Sequence, residues 1–163
     1  MQQGMVAGPE KRYKCRVLAD VIRDGRVVQT VEGENSRPVV GGNWQAAVMW
    51  GSAWGGANYV ACGWTPSTAM TKDSTTLDNE FGAVMGLQRA VGATQNYVAP
   101  STNDGAASYE VYKSFSVTGT TTVYSSALFT AASGGTMFVY ADFGTAASVA
   151  SGDTLNVTWT VNL

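Results

Sequence analysis

From residue 154 onward the chain alternates without a fault. Leu155, Val157, Trp159, Val161 and Leu163 fall on one side, and Thr154, Asn156, Thr158, Thr160 and Asn162 on the other. A period of two is the signature of a strand with one face in a core. Such a strand is expected to be laid into a sheet rather than left frayed. The same period opens the chain in "YKCRVLADVIRDGRVVQTVEGEN", where Tyr13, Cys15, Val17, Ala19 and Val21 share a face and Val27, Gln29 and Val31 continue it on the return. Asp24-Gly25 lies between the two runs, and this dipeptide is a strong short-range hairpin signal.

The middle is less regular. "GGNWQAAVMWGSAWGG" is bracketed by glycine pairs. It predicts a helix of two to three turns with Asn43 as N-cap and Trp44, Ala47, Val48 and Met49 along it. "NYVACGW" predicts a short strand with Val60, Cys62 and Trp64 on one face. A Ser/Thr-rich loop follows, and its end, "TTLDNEFGAVM", suggests a second short helix over 75–85. Residues 86–98 predict a strand and "APSTNDGAAS" a turn region.

From Tyr109 the pattern is all β. "YEVYKSFSV" turns Val111, Phe115 and Val117 inward, with Lys113 out of pattern, and "TTTVYSSALF" is a further strand. "TMFVYADF" places Met137, Val139, Ala141 and Phe143 together, and "GTAASVASGD" leads into the closing strand. Strands punctuated by turn signals about every 8–12 residues favour an antiparallel arrangement. The fold class expected is mainly β: an antiparallel β-sandwich or jelly-roll-like domain with one or two short helices. Residues 1–10, with Gly4, Gly8 and Pro9, are expected to form an N-terminal arm, and 11–163 a single β-sandwich domain.

Composition sharpens this picture. Only 13% of the 163 residues are charged, about half the usual share, and Gly, Ser and Thr take the place of charge. That suits a β protein with many turns and a surface that is uncharged or covered by neighbours. The net charge of −2 argues against non-specific nucleic-acid binding. Seven of the ten Lys and Arg lie in residues 1–37, which makes that part basic and leaves the remainder acidic. "MQQGMVAGPEKRYKCR" lacks the apolar stretch of a secretory signal. No run is long and apolar enough for a membrane span. The expectation is therefore synthesis in a cytoplasm and no membrane partner. Cys15 and Cys62 both fall on apolar sides of predicted strands and read first as buried thiols, second as one disulfide.

Chemistry is thin. The chain has no histidine, which removes Ser-His-Asp and Cys-His arrangements and His-ligated metals. "GSAWGG" lacks the Lys-Ser/Thr of a phosphate loop. Asp78 and Glu80 diverge if helical, and Asp104, Asp142 and Asp153 sit in turn contexts where Asp has a local backbone role. Asn156-Val157-Thr158 matches a glycosylation sequon but lies within a predicted strand. No catalytic residue, cofactor or metal site is assigned. Trp44, Trp50, Trp54 and Trp64 fall within 21 residues, with Tyr59 among them. Core packing is their simplest use, but a helix this short cannot easily bury all four. Trp50 or Trp54 is expected at an interface, where Trp is favoured, with a sugar platform as the rival use.

The order of the pieces resembles a loosely related group of small tailed-bacteriophage virion proteins. The matching features are the apolar strand Tyr59 to Gly63, the Thr/Pro/Ser loop of Thr65 to Ser67, then Leu77, Glu80 and Arg89. "SALFTAASGGTMFVYADFGTAASVASGDTLNVTWTVNL" is similar to the ending of that group, with its Gly-Gly turn, Gly-Asp-Thr and closing strand. The resemblance covers 44–163 and departs where Leu128 directly follows Ala127, a place where many relatives have Gly. It implies a virion structural protein, made in a bacterial host cytoplasm and located in the virion. It does not separate capsid decoration from neck or collar. The partners expected are other virion proteins and further copies of the chain, with Met5, Lys11, Arg12, Trp50 and Trp54 at the interfaces. The alternative is a tail-fibre or receptor module that binds carbohydrate.

Overall fold

The structure is a computed structural model that describes residues 15–34, 37–49, 56–66, 70–98 and 107–162. Two antiparallel sheets face each other. The elements in chain order are β1 (Arg16–Arg23), β2 (Arg26–Glu34), α1 (Val39–Met49), β3 (Tyr59–Gly63), β4 (Ala90–Val91), β5 (Ala93–Val98), β6 (Ser108–Ser116), β7 (Thr121–Phe129), β8 (Met137–Val149) and β9 (Thr154–Asn162). One sheet has the order β2-β1-β9-β6-β5 and the other β4-β3-β7-β8.

The closing strand β9 is the middle of the five-stranded sheet. Its fully buried Trp159 stands between Val17 of β1 and Val111 of β6. Leu155, Val157 and Val161 are equally buried, and their polar alternates look outward. The β1–β2 hairpin turns at Asp24 and Gly25, both in the left-handed region with φ of 50° and 74°, as a two-residue I′-type turn requires. The inner faces share one core, to which β1 and β9 contribute Val17, Val21 and Trp159, and the facing sheet Val60, Val123 and Phe138. The indole Nε1–H of Trp159 crosses the sandwich and donates to Ser126 Oγ at 3.0 Å. That hydroxyl donates in turn to the Ala61 carbonyl at 2.8 Å.

A second, smaller core lies on the outer face of the four-stranded sheet. Ala61, Ala127, Phe129, Met137 and Tyr140 are covered there by Leu77 and Met70 of the β3–β4 connection. Arg89 pins this cover. Its guanidinium makes a two-pronged bond to Glu80 (2.8 and 2.6 Å), donates to the carbonyls of Ala131 and Gly134, and stacks 3.4 Å from the Phe129 ring centroid.

Several sequence expectations need correction. Helix α1 begins at Val39 rather than after Asn43, because Pro38 accepts the first helical bonds from Gly41 and Gly42. Gly41 is an approach residue, not a breaker: a Cβ there would strike the Phe138 carbonyl of β8. The helix expected over 75–85 does not form. Glu80 bridges to Gly63, and Phe81 N–H donates to the Cys62 carbonyl at 2.9 Å, so the segment runs along the end of β3. Residues 144–149, expected as a leader into β9, extend β8 instead. Met137 faces the outer core with Tyr140 and not the inner one, since β8 slips register opposite Leu128 and Phe129. The strand expected over 86–98 is two strands. The chain leaves one sheet at Val91 and enters the other at Ala93. Gly92 makes the crossing, where a Cβ would sit 2.8 Å from Val111 Cγ1.

Candidate functional site

Two of the acidic residues singled out for chemistry, Glu80 and Asp153, are held in ion pairs. Glu80 is held by Arg89. Asp153 is buried in the turn before β9, where it accepts from Arg23 Nε and Nη2 at 2.8 and 2.7 Å and from the Ala150 amide at 2.8 Å. The Arg23 hydrogen bonds, followed by the Ala150 amide, draw the Asp153 carboxyl down to about 2. Asp104 lies outside the described residues. Among the described residues no three His, Cys, Asp or Glu side chains group as metal ligands. No helix among them is long and apolar enough to cross a membrane.

Cys15 and Cys62 are buried thiols and no disulfide joins them. Burial pushes the Cys62 thiol up to about 12, with the Glu80 charge adding to the effect, and burial raises Cys15 as well.

The sheet edges are where the molecule is unequal. Strands β2 and β8, the outer strands of the two sheets on one side, lie against each other. Gln29 of β2 donates from Nε2 to the Ala146 carbonyl and accepts at Oε1 from the Ser148 amide, both at 2.9 Å, so its side chain satisfies the open rim of β8. Gly33 abuts the Asp142 carbonyl, and Arg16 and Glu32 form an ion pair beside it. This side is closed by polar side chains and charge, a standard protection for a sheet rim.

The other side is different. Strand β5 is the outer strand of the five-stranded sheet, and all six of its residues are exposed. None is charged or proline. Tyr97 is 70% exposed, Val98 54% and the adjoining Val91 53%. Asn96 takes a φ of 52° at a bulge in the β5–β6 pairing, and Gln95 and Asn96 both donate to Glu110 Oε2 on β6. The Glu110 carboxylate is thereby shared between β6, which carries it, and two donors on β5.

A second feature is a shallow groove of about 550 Å³ lined by Trp64, Phe81, Val84, Met85, Thr121, Thr122 and Tyr124. The alternation of "NYVACGW" puts Trp64 on the inner face with Val60 and Cys62. It is instead half-exposed, because β3 ends at Gly63 and the Trp64 amide is drawn to the Asn79 carbonyl. Among the described residues no charged side chain lines the groove.

The interface residues expected from sequence, Met5, Lys11, Arg12, Trp50 and Trp54, all lie outside the described residues, as does the arm 1–10. The β5 rim and the Trp64 groove are not among them. The signal for the first was available: "ATQNYV" is a strand without charge or proline, but its place at a sheet edge could not be read locally. No family model, curated protein or solved structure matches this chain.

Proposed function

We propose that this chain is a structural subunit of a tailed-bacteriophage particle, made in the host cytoplasm and built into the virion as an accessory component on the capsid or at the neck or collar. It would act by burying surface between neighbours and not by catalysis. The observation that carries the reading is the contrast between the two sides of the sandwich. One side is closed by Gln29 and the Arg16–Glu32 pair, whereas on the other side β5 is an uncharged, apolar-flanked strand with β6 as its one neighbour among the described strands. A protein that works alone covers such an edge, and one that assembles uses it. The resemblance of 44–163 to phage virion proteins supplies the setting.

The test is reconstitution. Purified protein is mixed with particles that lack it and imaged by electron microscopy. Density repeating over the shell, or confined to the tail vertex, is the expected result and separates decoration from neck. Absence of binding to any particle surface would overturn the reading.

A second reading, a receptor or carbohydrate-binding module, is favoured by the Trp64 groove, whose aromatic and threonine lining suits a neutral sugar ring. Titration with host surface glycans would then shift tryptophan fluorescence, and Trp64→Ala would abolish the shift. An unchanged spectrum counts against it.

A further inference from the structure

We infer that the β5 rim takes a second copy of this chain, paired antiparallel about a two-fold axis to give one continuous sheet of two five-stranded halves. This rests on reading the chain as an assembly subunit and names the partner of that same edge.

The occupant follows from the chemistry of the rim. An edge strand offers a row of unpaired amides and carbonyls, so what fits it is another extended strand. A two-fold interface sets residue i against j and j against i, so any charged residue in the rim would face its own copy or a like charge nearby. Ala93–Val98 contains no charge. Glu110, a carboxylate beside it, is bonded by Gln95 and Asn96 of the same copy. The strand is self-compatible in a way the opposite outer strand is not, since β2 carries Arg26, Glu32 and Glu34. Pairing with its own copy would form about four to six backbone bonds. It would also set the exposed Tyr97 and Val98 of each copy beside the strand of the other.

The same observations limit the assembly. Head-to-tail growth would need β5 of one copy to dock on another outer strand of the next: β2 and β8 lie against each other, where Gln29 bonds the Ala146 carbonyl and the Ser148 amide of β8, and β4 is only two residues long. The association therefore closes at two copies through this edge and does not run on as a filament.

The experiment is light scattering coupled to size exclusion, with sedimentation equilibrium over a wide concentration range, on the wild-type chain and on Thr94→Lys and Tyr97→Lys. Both sites are exposed, so the variants keep the fold, which circular dichroism checks. The expected result is a wild-type mass that doubles with concentration and stops there, and an association at least about tenfold weaker in either variant. Because Cys15 and Cys62 are buried, single cysteines can be placed on the rim. Under oxidation, one or more of Thr94→Cys, Gln95→Cys and Tyr97→Cys is expected to give a covalent dimer, and Ser133→Cys in the β7–β8 turn is not. A wild-type chain that stays monomeric at the highest concentration, an oligomer indifferent to both lysines, or open-ended growth would each overturn the inference. A monomer that nevertheless bound particles in the reconstitution would refute self-pairing alone and leave the subunit reading standing.

Discussion

Ser126→Ala removes a single oxygen, and its cost should depend on whether residue 159 is Trp. In the native core Ser126 Oγ is the acceptor for the Trp159 indole N–H, and both residues are fully buried. Without the hydroxyl, that N–H has no acceptor and no water. Leaving a buried donor unmade costs about 1–3 kcal/mol. The Ala61 carbonyl also loses its side-chain donor, but it stays within the β3–β7 ladder opposite Ala127, so this loss is the smaller one. A total of about 2 kcal/mol corresponds to a fall in Tm of roughly 4–8 °C for a chain of this size. Trp159→Phe acts differently. It removes the donor together with part of a large ring, leaves Ser126 still donating to Ala61, and costs about 2–3 kcal/mol through lost burial and an unfilled space. In the Trp159→Phe background no indole remains to be orphaned, so adding Ser126→Ala should cost less than about 0.5 kcal/mol, a coupling of about 1.5 kcal/mol. Urea unfolding followed by far-ultraviolet circular dichroism on the four proteins of the cycle measures this. Equal costs of Ser126→Ala in both backgrounds would refute the reasoning, because the hydroxyl would then be acting independently of the indole.

Arg89→Lys should destabilise by about 2–4 kcal/mol, nearly as much as Arg89→Met, since an ammonium cannot make the two-pronged bond to Glu80, reach two carbonyls and stack on Phe129 at once; lysine restoring wild-type urea stability would contradict this. Asp153 has a folded value drawn below its ordinary one of about 4. Its contribution is therefore complete above about pH 4 and lost as the pH falls toward 2. The stability gap between wild type and Asp153→Asn, measured by urea midpoints, should be widest near neutrality and close across that window. Cys62, pushed up to about 12 and fully buried with Cys15, should not react with a disulfide reagent at pH 8 until urea unfolds the chain, and prompt labelling of two thiols in the folded protein would show that the core opens.

The closing strand and the first hairpin were legible because each carries its own local signature, strict alternation in 154–162 and Asp-Gly at the turn. What failed were the places where a neighbour decides the conformation. Leu77 and Phe81 are four apart, yet one lies in the outer core and the other in the inner, because the segment crosses the end of β3. The small residues of 144–149 look like a loop and form a strand, because residues 121–123 of β7 pair with 147–149 and Gln29 of β2 bonds their backbone from the other side. Glycine misleads twice: Gly41 and Gly42 look like the boundary of a helix they belong to, and Gly92 sits in an apparently single strand that changes sheets. The β5 rim was invisible for a related reason. An edge is a property of strand order, and no window of sequence states which strand will have only one neighbour.

The position of β9 has a consequence for how the molecule is made. It follows the other described strands in the sequence, yet it pairs with β1 across a separation of well over a hundred residues and so joins that strand to β6. Until it arrives the five-stranded layer is two unconnected hairpins, β1–β2 and β5–β6. The inner core, which takes Leu155, Val157, Trp159 and Val161 from β9, therefore cannot close before that strand is in place, whereas the outer core draws on β3, β7, β8 and the β3–β4 connection alone. Such distant pairing slows the search for the native state. It also means that a chain cut short before residue 154 leaves the β5–β6 hairpin with the β9-facing edge of β6 unpaired.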